Sequence, residues 1–316
     1  MSTLAVNEII PTTGNSIIFT SNVTLNGTGA LSLPVGSTAD RPTSPSNGMI
    51  RYNTTLGKIE AYVVSWCNVL IEYNIEYILV AGGGGAGFDV GGGGGGGGVL
   101  LGNTTVFPQS TYTFTIGSGG GSGGGANSKG TSGGNTSFSS FVAVGGGGGG
   151  TYPSGGSGLP GGSGGGAGNN EGAAGGAGIP GQGYPGGTGI STTWGSAGGG
   201  GAGGPGSNAV QNTQVAGGPA LYSTISGSNV AYSGGGYGNS DGGAINPTGQ
   251  NIAGASVGFY GFGANGTGAP NASPYSGNGG IAIIRYQGSQ RGSGGNVTTA
   301  NGYTIHTFTS TSSYTA

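Results

Sequence analysis

The chain has 316 residues, of which 86 are glycine and only 4% are charged, with a formal net charge of −2. Ordinary domains carry about 7% glycine and about 25% charged residues, so there is neither a clustered basic surface for nucleic acid nor a polybasic patch for a membrane. One cysteine, Cys67, excludes an intrachain disulfide, and one histidine, His306, excludes a histidine cluster for a metal.

Taken in order, residues 1–40 read as short β-type runs. These are Ser16-Ile17-Ile18-Phe19-Thr20, Val23-Thr24-Leu25 and Ala30-Leu31-Ser32-Leu33, separated by turn residues and ended by Pro34. Residues 41–71 read as a small hairpin module. Pro42 and Pro45 stiffen its lead-in, Asn47-Gly48 turns the chain, and strands over 49–52 and 58–62 flank a loop at 53–57. Arg51 and Glu60 are expected to face each other across the pair, a contact worth well under about 1 kcal/mol if exposed. Trp66 is expected to close the module. No run of 18 apolar residues occurs, so no transmembrane helix is expected. The opening residues lack the positive and apolar regions of a secretory signal.

The long tract over 72–286 contains oligoglycine runs at 91–98 and 145–150. By default such a tract is a flexible linker, because glycine loses about 0.5–1 kcal/mol more than alanine on ordering. Side chains are too few to order it, so the backbone must. Extended helices with three residues per turn have no internal hydrogen bonds, and only glycine lets them lie close enough to pair laterally. Collagen needs strict Gly-X-Y and much more proline. Here the phase breaks at Tyr184 and only 14 prolines occur. The tract is therefore expected to be a polyglycine-II-like bundle.

Aromatics that interrupt the register should lie outside the bundle or in loops at its end. Tyr184, Trp194, Tyr237, Phe259, Tyr260 and Phe262 are the candidates for contact with a partner. Tyrosine and tryptophan offer a flat apolar face with a polar handle, suited to sugar rings and to protein surfaces. Catalysis finds little support. Glu171 and Asp241 are the one carboxylate pair deep in the tract that could be named, and they read as solvated loop residues. The many GxGxxG matches are followed by no helix-forming stretch and carry no weight. No enzyme and no cofactor are expected. At the flanks, residues 112–116 and 303–309 alternate large or apolar residues with threonine, apart from His306 and Thr307, as half-buried strands do, and His306 reads as a sheet residue.

The motif Arg41-Pro42-Thr43-Ser44-Pro45 followed by Asn47-Gly48, Arg51-Tyr52-Asn53-Thr54-Thr55, Tyr62 and Trp66 resembles a pattern of bacteriophage tail-fibre and related virion proteins. The likeness is to phages of marine bacteria and cyanobacteria in particular, and Ala61 stands where that family usually has glycine. Residues 1–14, and the segments 75–85, 110–117, 135–144 and 280–286, look like the opening and the glycine-rich domain strands of such fibres. Residues 302–310 resemble a segment that there precedes the glycine-rich domain. At this position they either complete their own domain's sheet or pair with another chain.

The resemblance implies an all-β protein in which short strands and hairpins frame the bundle, as a trimeric fibre. Residues 1–40 would attach to other phage tail or fibre proteins, 41–71 form the hairpin module, 72–286 the glycine-rich domain and 287–316 a C-terminal β segment. It implies a virion location and attachment to a host surface glycan or outer-membrane protein, multivalently. The alternatives are a purely structural fibre, collar or decoration protein, an ice-binding bundle, and a polysaccharide-degrading enzyme using Glu171 and Asp241.

Overall fold

The computed structural model describes residues 30–69, 71–125, 127–152, 156–169, 172–190, 194–240, 259–266 and 275–316. The strands expected at 16–20 and 23–25, and Glu171 and Asp241, lie outside these residues. The chain divides into two compact units, Met1–Val69 and Leu70–Ala316. The protein is all-β, with one short 3-10 turn at Thr38–Asp40 among the described residues.

In the first unit four strands lie in the order β1 (Val35–Gly36), β2 (Ile50–Asn53), β3 (Lys58–Val63), β4 (Ser65–Asn68). β1 runs parallel to β2, and β2, β3 and β4 are antiparallel neighbours. Residues 30–33 form no strand, contrary to the expectation. An alternating run becomes a strand only beside a partner, and β2 pairs with Val35 and Gly36, beyond Pro34.

Arg51 and Glu60 are cross-strand partners, but they are not an exposed pair. Both are buried, and Glu60 is fully so. Its carboxylate accepts from Arg41 Nη2 at 2.6 Å and Nε at 3.2 Å and from Asn53 Nδ2 at 3.0 Å, with Arg51 Nε at 3.5 Å. Trp66 meets Tyr62 edge-on at 5.4 Å, and the two guanidinium groups approach its ring at 5.8 and 6.0 Å. Alternation then sends Val35, Ile50, Tyr52 and Val63 to the other face, where all four are exposed. The module is polar inside and apolar outside.

The second unit contains β5 (Tyr73–Val80), β6 (Val99–Val106), β7 (Thr111–Thr115), β8 (Thr136–Phe138), β9 (Phe141–Ala143), β10 (Leu221–Ser223), β11 (Val230–Tyr232), β12 (Ile281–Gln287), β13 (Asn296–Ala300), β14 (Tyr303–Phe308) and β15 (Ser312–Thr315). They form an antiparallel sheet β13-β14-β12-β5-β6, a second sheet β15-β7-β8-β9, and the hairpin β10-β11. β14 thus completes its own domain's sheet, beside β12.

One face of β5, β12 and β14 packs Ile75, Leu79, Ile284 and Phe308 against Phe114, Phe138 and Tyr314 of the second sheet. Phe114 stacks between Phe138 at 4.5 Å and Phe308 at 4.2 Å. The opposite face packs Ile78, Val80, Ile283 and Ile305 against Ile225 and Tyr232 of the hairpin region. From Tyr77 to Val80, β5 is buried on both faces, so that half reads as a continuous apolar run.

His306 is a buried sheet residue between these layers. Its Nδ1 donates to the Gly294 carbonyl at 2.8 Å, so its Nε2 accepts from the Tyr286 hydroxyl at 2.9 Å. Burial pushes its pKa down and the Gly294 bond opposes that shift, so the net effect favours the neutral ring.

The strands run directly into glycine segments, and these form the bundle. Segment 91–98 shows its construction. N–H groups of Gly92, Gly95 and Gly98 donate to carbonyls of Gly150, Gly147 and Val144; those of Gly93 and Gly96 to Ala197 and Gly200; those of Gly94 and Gly97 to Ala264 and Gly261. Carbonyls of Gly92, Gly95 and Gly98 accept from Gly87, Gly84 and Ala81; those of Gly93 and Gly96 from Gly166 and Ser163; that of Gly94 from Gly236. Partners therefore recur every third residue, and this one segment is hydrogen-bonded to six others. That is the lateral pairing of three-residue-per-turn extended helices, with no bond inside a segment. A Cβ at Gly94 would fall closer than 3.0 Å to the Gly84 carbonyl, so only glycine permits this spacing.

Candidate loop-borne binding groove

Tyr184 stands where the bundle turns. Gly181, at φ +82°, lets the 179–183 turn close through Gln182 N–H and Gly183 N–H on the Ile179 carbonyl at 2.9 and 3.0 Å. Gln182 then clamps the turn to the end of β9. Its Oε1 accepts from Val144 N–H at 2.8 Å, and its Nε2 donates to the Val142 carbonyl at 3.1 Å. The Tyr184 backbone belongs to the bundle: its N–H donates to Gly201 and its carbonyl accepts from Gly164. Only the side chain stands out, 46% exposed.

The ring lines a groove of about 550 Å³ with Pro180, Pro185, Val99, Ala202 and Leu221. This is a shallow apolar trough with one phenol hydroxyl, held by a rigid floor. It can take a flat apolar face and offers a polar anchor beside it.

The other predicted contact residues divide. Trp194 is half-buried at φ +31° and packs on Tyr152 at 6.0 Å, so it does not join Tyr184 in the groove. Tyr237 is half-buried, with its N–H on Asn265 Oδ1 at 3.0 Å. Phe259 is exposed and meets Phe262 edge-on at 6.0 Å. Tyr260 is half-buried against the cluster under the hairpin.

Phe262 corrects the expectation that every aromatic lies outside the bundle. It is fully buried with Ala220 and Ala231, as is Tyr232 in the neighbouring cluster. A ring fits inside wherever alanines and the β10-β11 hairpin, rather than another glycine segment, cover it. Sequence reasoning missed Pro180, Gln182 and Pro185, although a proline on each side of a glycine-flanked tyrosine was a visible sign of a formed turn.

Among the described residues, no group of three or more His, Cys, Asp and Glu could hold a metal. No helix among them is long and apolar enough to cross a membrane.

Sheets that feed a hydrogen-bonded glycine bundle, with a groove at one of its turns, define an all-β glycine-rich fold. The sequence matches the family described as glycine-rich domain over residues 54–296, more than half of the chain, and the chain belongs to that family. No curated protein and no solved structure matches it.

Proposed function

We propose that this chain is a virion fibre or adhesin protein that attaches a phage to the host-cell surface through loops on its glycine-rich tip. The observation that carries the reading is the Tyr184 groove, an exposed aromatic trough whose floor is fixed by interlocked backbone hydrogen bonds. Such a floor leaves little to order on binding, which favours affinity from a small contact. The phage setting rests on the resemblance of residues 41–66 to tail-fibre proteins. The partner is a surface glycan or an outer-membrane protein, and copies of the site on one fibre and over several fibres add avidity.

Virions carrying Tyr184→Ala are expected to adsorb to cells at least about tenfold more slowly, the loss of one central aromatic anchor. Adsorption at the normal rate, with the variant folded and incorporated, would favour the alternative of a structural fibre or collar component without a receptor.

A homo-oligomer, with three copies as the fibre reading requires, is part of the proposal. The exposed apolar face of β1–β4 supports it: Val63 there is 60% exposed, while the charged network occupies the opposite, covered face. A second copy is the occupant that fits, since the same apolar strip is then buried from both sides. Light scattering on the unheated chain should give a multiple of 29.7 kDa, reduced towards a single chain by Val63→Lys with Ile50→Lys. A monomeric wild-type chain removes the oligomer from the proposal.

A further inference from the structure

The outer end of the five-stranded sheet carries a second, chemically different groove. Asn103, Glu76 and Arg285 are opposed in one row across β6, β5 and β12. Gln287 and Tyr303 are opposed across β12 and β14, and Asn74 lies two residues before Glu76. Alternation places all six on the face whose other end is covered by the β10-β11 hairpin. They line adjoining cavities of about 430 and 310 Å³ that share Glu76, Asn103 and Arg285.

A cross-strand ion pair on a sheet is ordinary by itself. This one has further contacts around it. Arg285 Nη2 and Nε donate to a single oxygen, Glu76 Oε2, at 2.6 and 3.0 Å. Nη1 donates to the Thr224 carbonyl at 3.1 Å, and the guanidinium lies 4.4 Å over the Tyr303 ring. Three of the five guanidinium N–H donors are thus engaged, and Glu76 Oε1 has no hydrogen-bond partner among the described residues. The Asn103 and Gln287 amides make no side-chain hydrogen bond among the described residues. Asn74 Oδ1 accepts from the Thr105 hydroxyl at 3.0 Å, which leaves its NH₂ to donate.

A held acceptor, two unspent amides, the NH₂ of a third and a tyrosine within one shallow trough match the adjacent hydroxyls of a pyranose. The ion pair leaves Arg285 and Glu76 together without net charge, which favours a neutral ligand over an anion. We propose that this groove binds a neutral saccharide ring, as a site separate from the Tyr184 groove. Glu76 and Asn103 take the ring hydroxyls, and Arg285 positions Glu76.

The test is a titration of the ¹⁵N-labelled full chain with methyl α-D-glucopyranoside, methyl α-D-galactopyranoside and methyl α-D-mannopyranoside. It follows the side-chain amide signals of Asn74, Asn103 and Gln287. At least one glycoside should move them saturably, with a Kd of order 1 mM. Asn103→Ala and Glu76→Gln should each weaken that binding about tenfold, as loss of one hydrogen bond to a fixed partner does, with the backbone signals of the sheet in place. Tyr184→Ala should leave the titration unchanged, so this result stands apart from that of the adsorption experiment. No saturable shift with any of the three, or shifts undiminished in both variants, would overturn the proposal.

Discussion

Gly94→Ala is expected to cost the second unit about 3 kcal/mol or more, while Gly124→Ala leaves its stability unchanged or raised by a few tenths. The two substitutions add the same methyl group to glycines of the same unit. At Gly94 the new Cβ would meet the carbonyl of Gly84 and the N–H of Ala264, both backbone atoms on separate segments. Neither can rotate away as a side chain would. Moving either breaks a chain of bonds, because Gly94 N–H donates to Ala264 at 2.8 Å and its carbonyl accepts from Gly236 at 2.9 Å. The strain therefore spreads across three neighbouring segments. At Gly124 nothing lies within 4 Å of the added carbon and the backbone is not left-handed, so the substitution only reduces the freedom of the unfolded chain. A domain of this kind has about 5–15 kcal/mol in total, so Gly94→Ala removes a large fraction. Urea denaturation of both variants, read by far-ultraviolet circular dichroism, checks this. Equal midpoints would mean that lateral backbone pairing does not hold the bundle together.

That experiment also explains how much of the fold could be seen in the sequence. Residues 112–116 and 303–308 declare themselves as strands, since large side chains alternate with threonine along most of each; the first buries one face, whereas the second is buried on both. The hairpin of β2 and β3 is equally plain from its turn residues and its Arg51-Glu60 register. The polyglycine character follows from composition, because little else can order so much glycine. The arrangement of the segments does not. A glycine has no side chain with which to prefer one neighbour, and the partners of Gly93, Gly94 and Gly95 lie at 197, 264 and 147, set by geometry alone.

The sites divide in the same way. Tyr184 is visible as an interruption of the register. Phe262 looks the same in sequence, yet it is covered by Ala220 and Ala231, which no local pattern announces. The saccharide groove was not visible at all. Asn74, Asn103 and Gln287 are ordinary strand residues until β6, β5 and β12 bring them to one face.

Glu60→Gln should destabilise the first unit by about 2–3 kcal/mol, well beyond an exposed ion pair. One carboxylate there serves two guanidiniums and the Asn53 amide, and both oxygens are used. Neutralising it leaves Arg51 buried with the Ser37 carbonyl as its remaining acceptor, and leaves Arg41 without a counter-charge. Breaking a fully buried pair costs roughly 3–5 kcal/mol. Arg41 keeps 28% of its side chain in water, which lowers the figure for this site.

The same contacts set an acid limit. Hydrogen bonds from Arg41 hold the Glu60 pKa below its ordinary 4.5 against the opposing effect of burial, with help from Asn53 and from the charges of Arg41 and Arg51. In the interval between the folded and unfolded values, the unfolded chain binds more protons. The stabilisation is therefore complete above about 4.5 and is lost as pH falls through the folded value. Trp66 reports the module directly, because both guanidiniums lie against its ring. With Trp194→Phe as background, its fluorescence should show urea unfolding at a lower midpoint in Glu60→Gln at pH 7. The gap between the two proteins should narrow as the wild-type chain is acidified. Asp40, which the Ser37 hydroxyl and N–H hold low, is present in both proteins, so the comparison isolates the part that depends on Glu60. A midpoint for Glu60→Gln equal to the wild type at pH 7 would mean that the network is solvated, and that the apolar outer face alone holds this small sheet together.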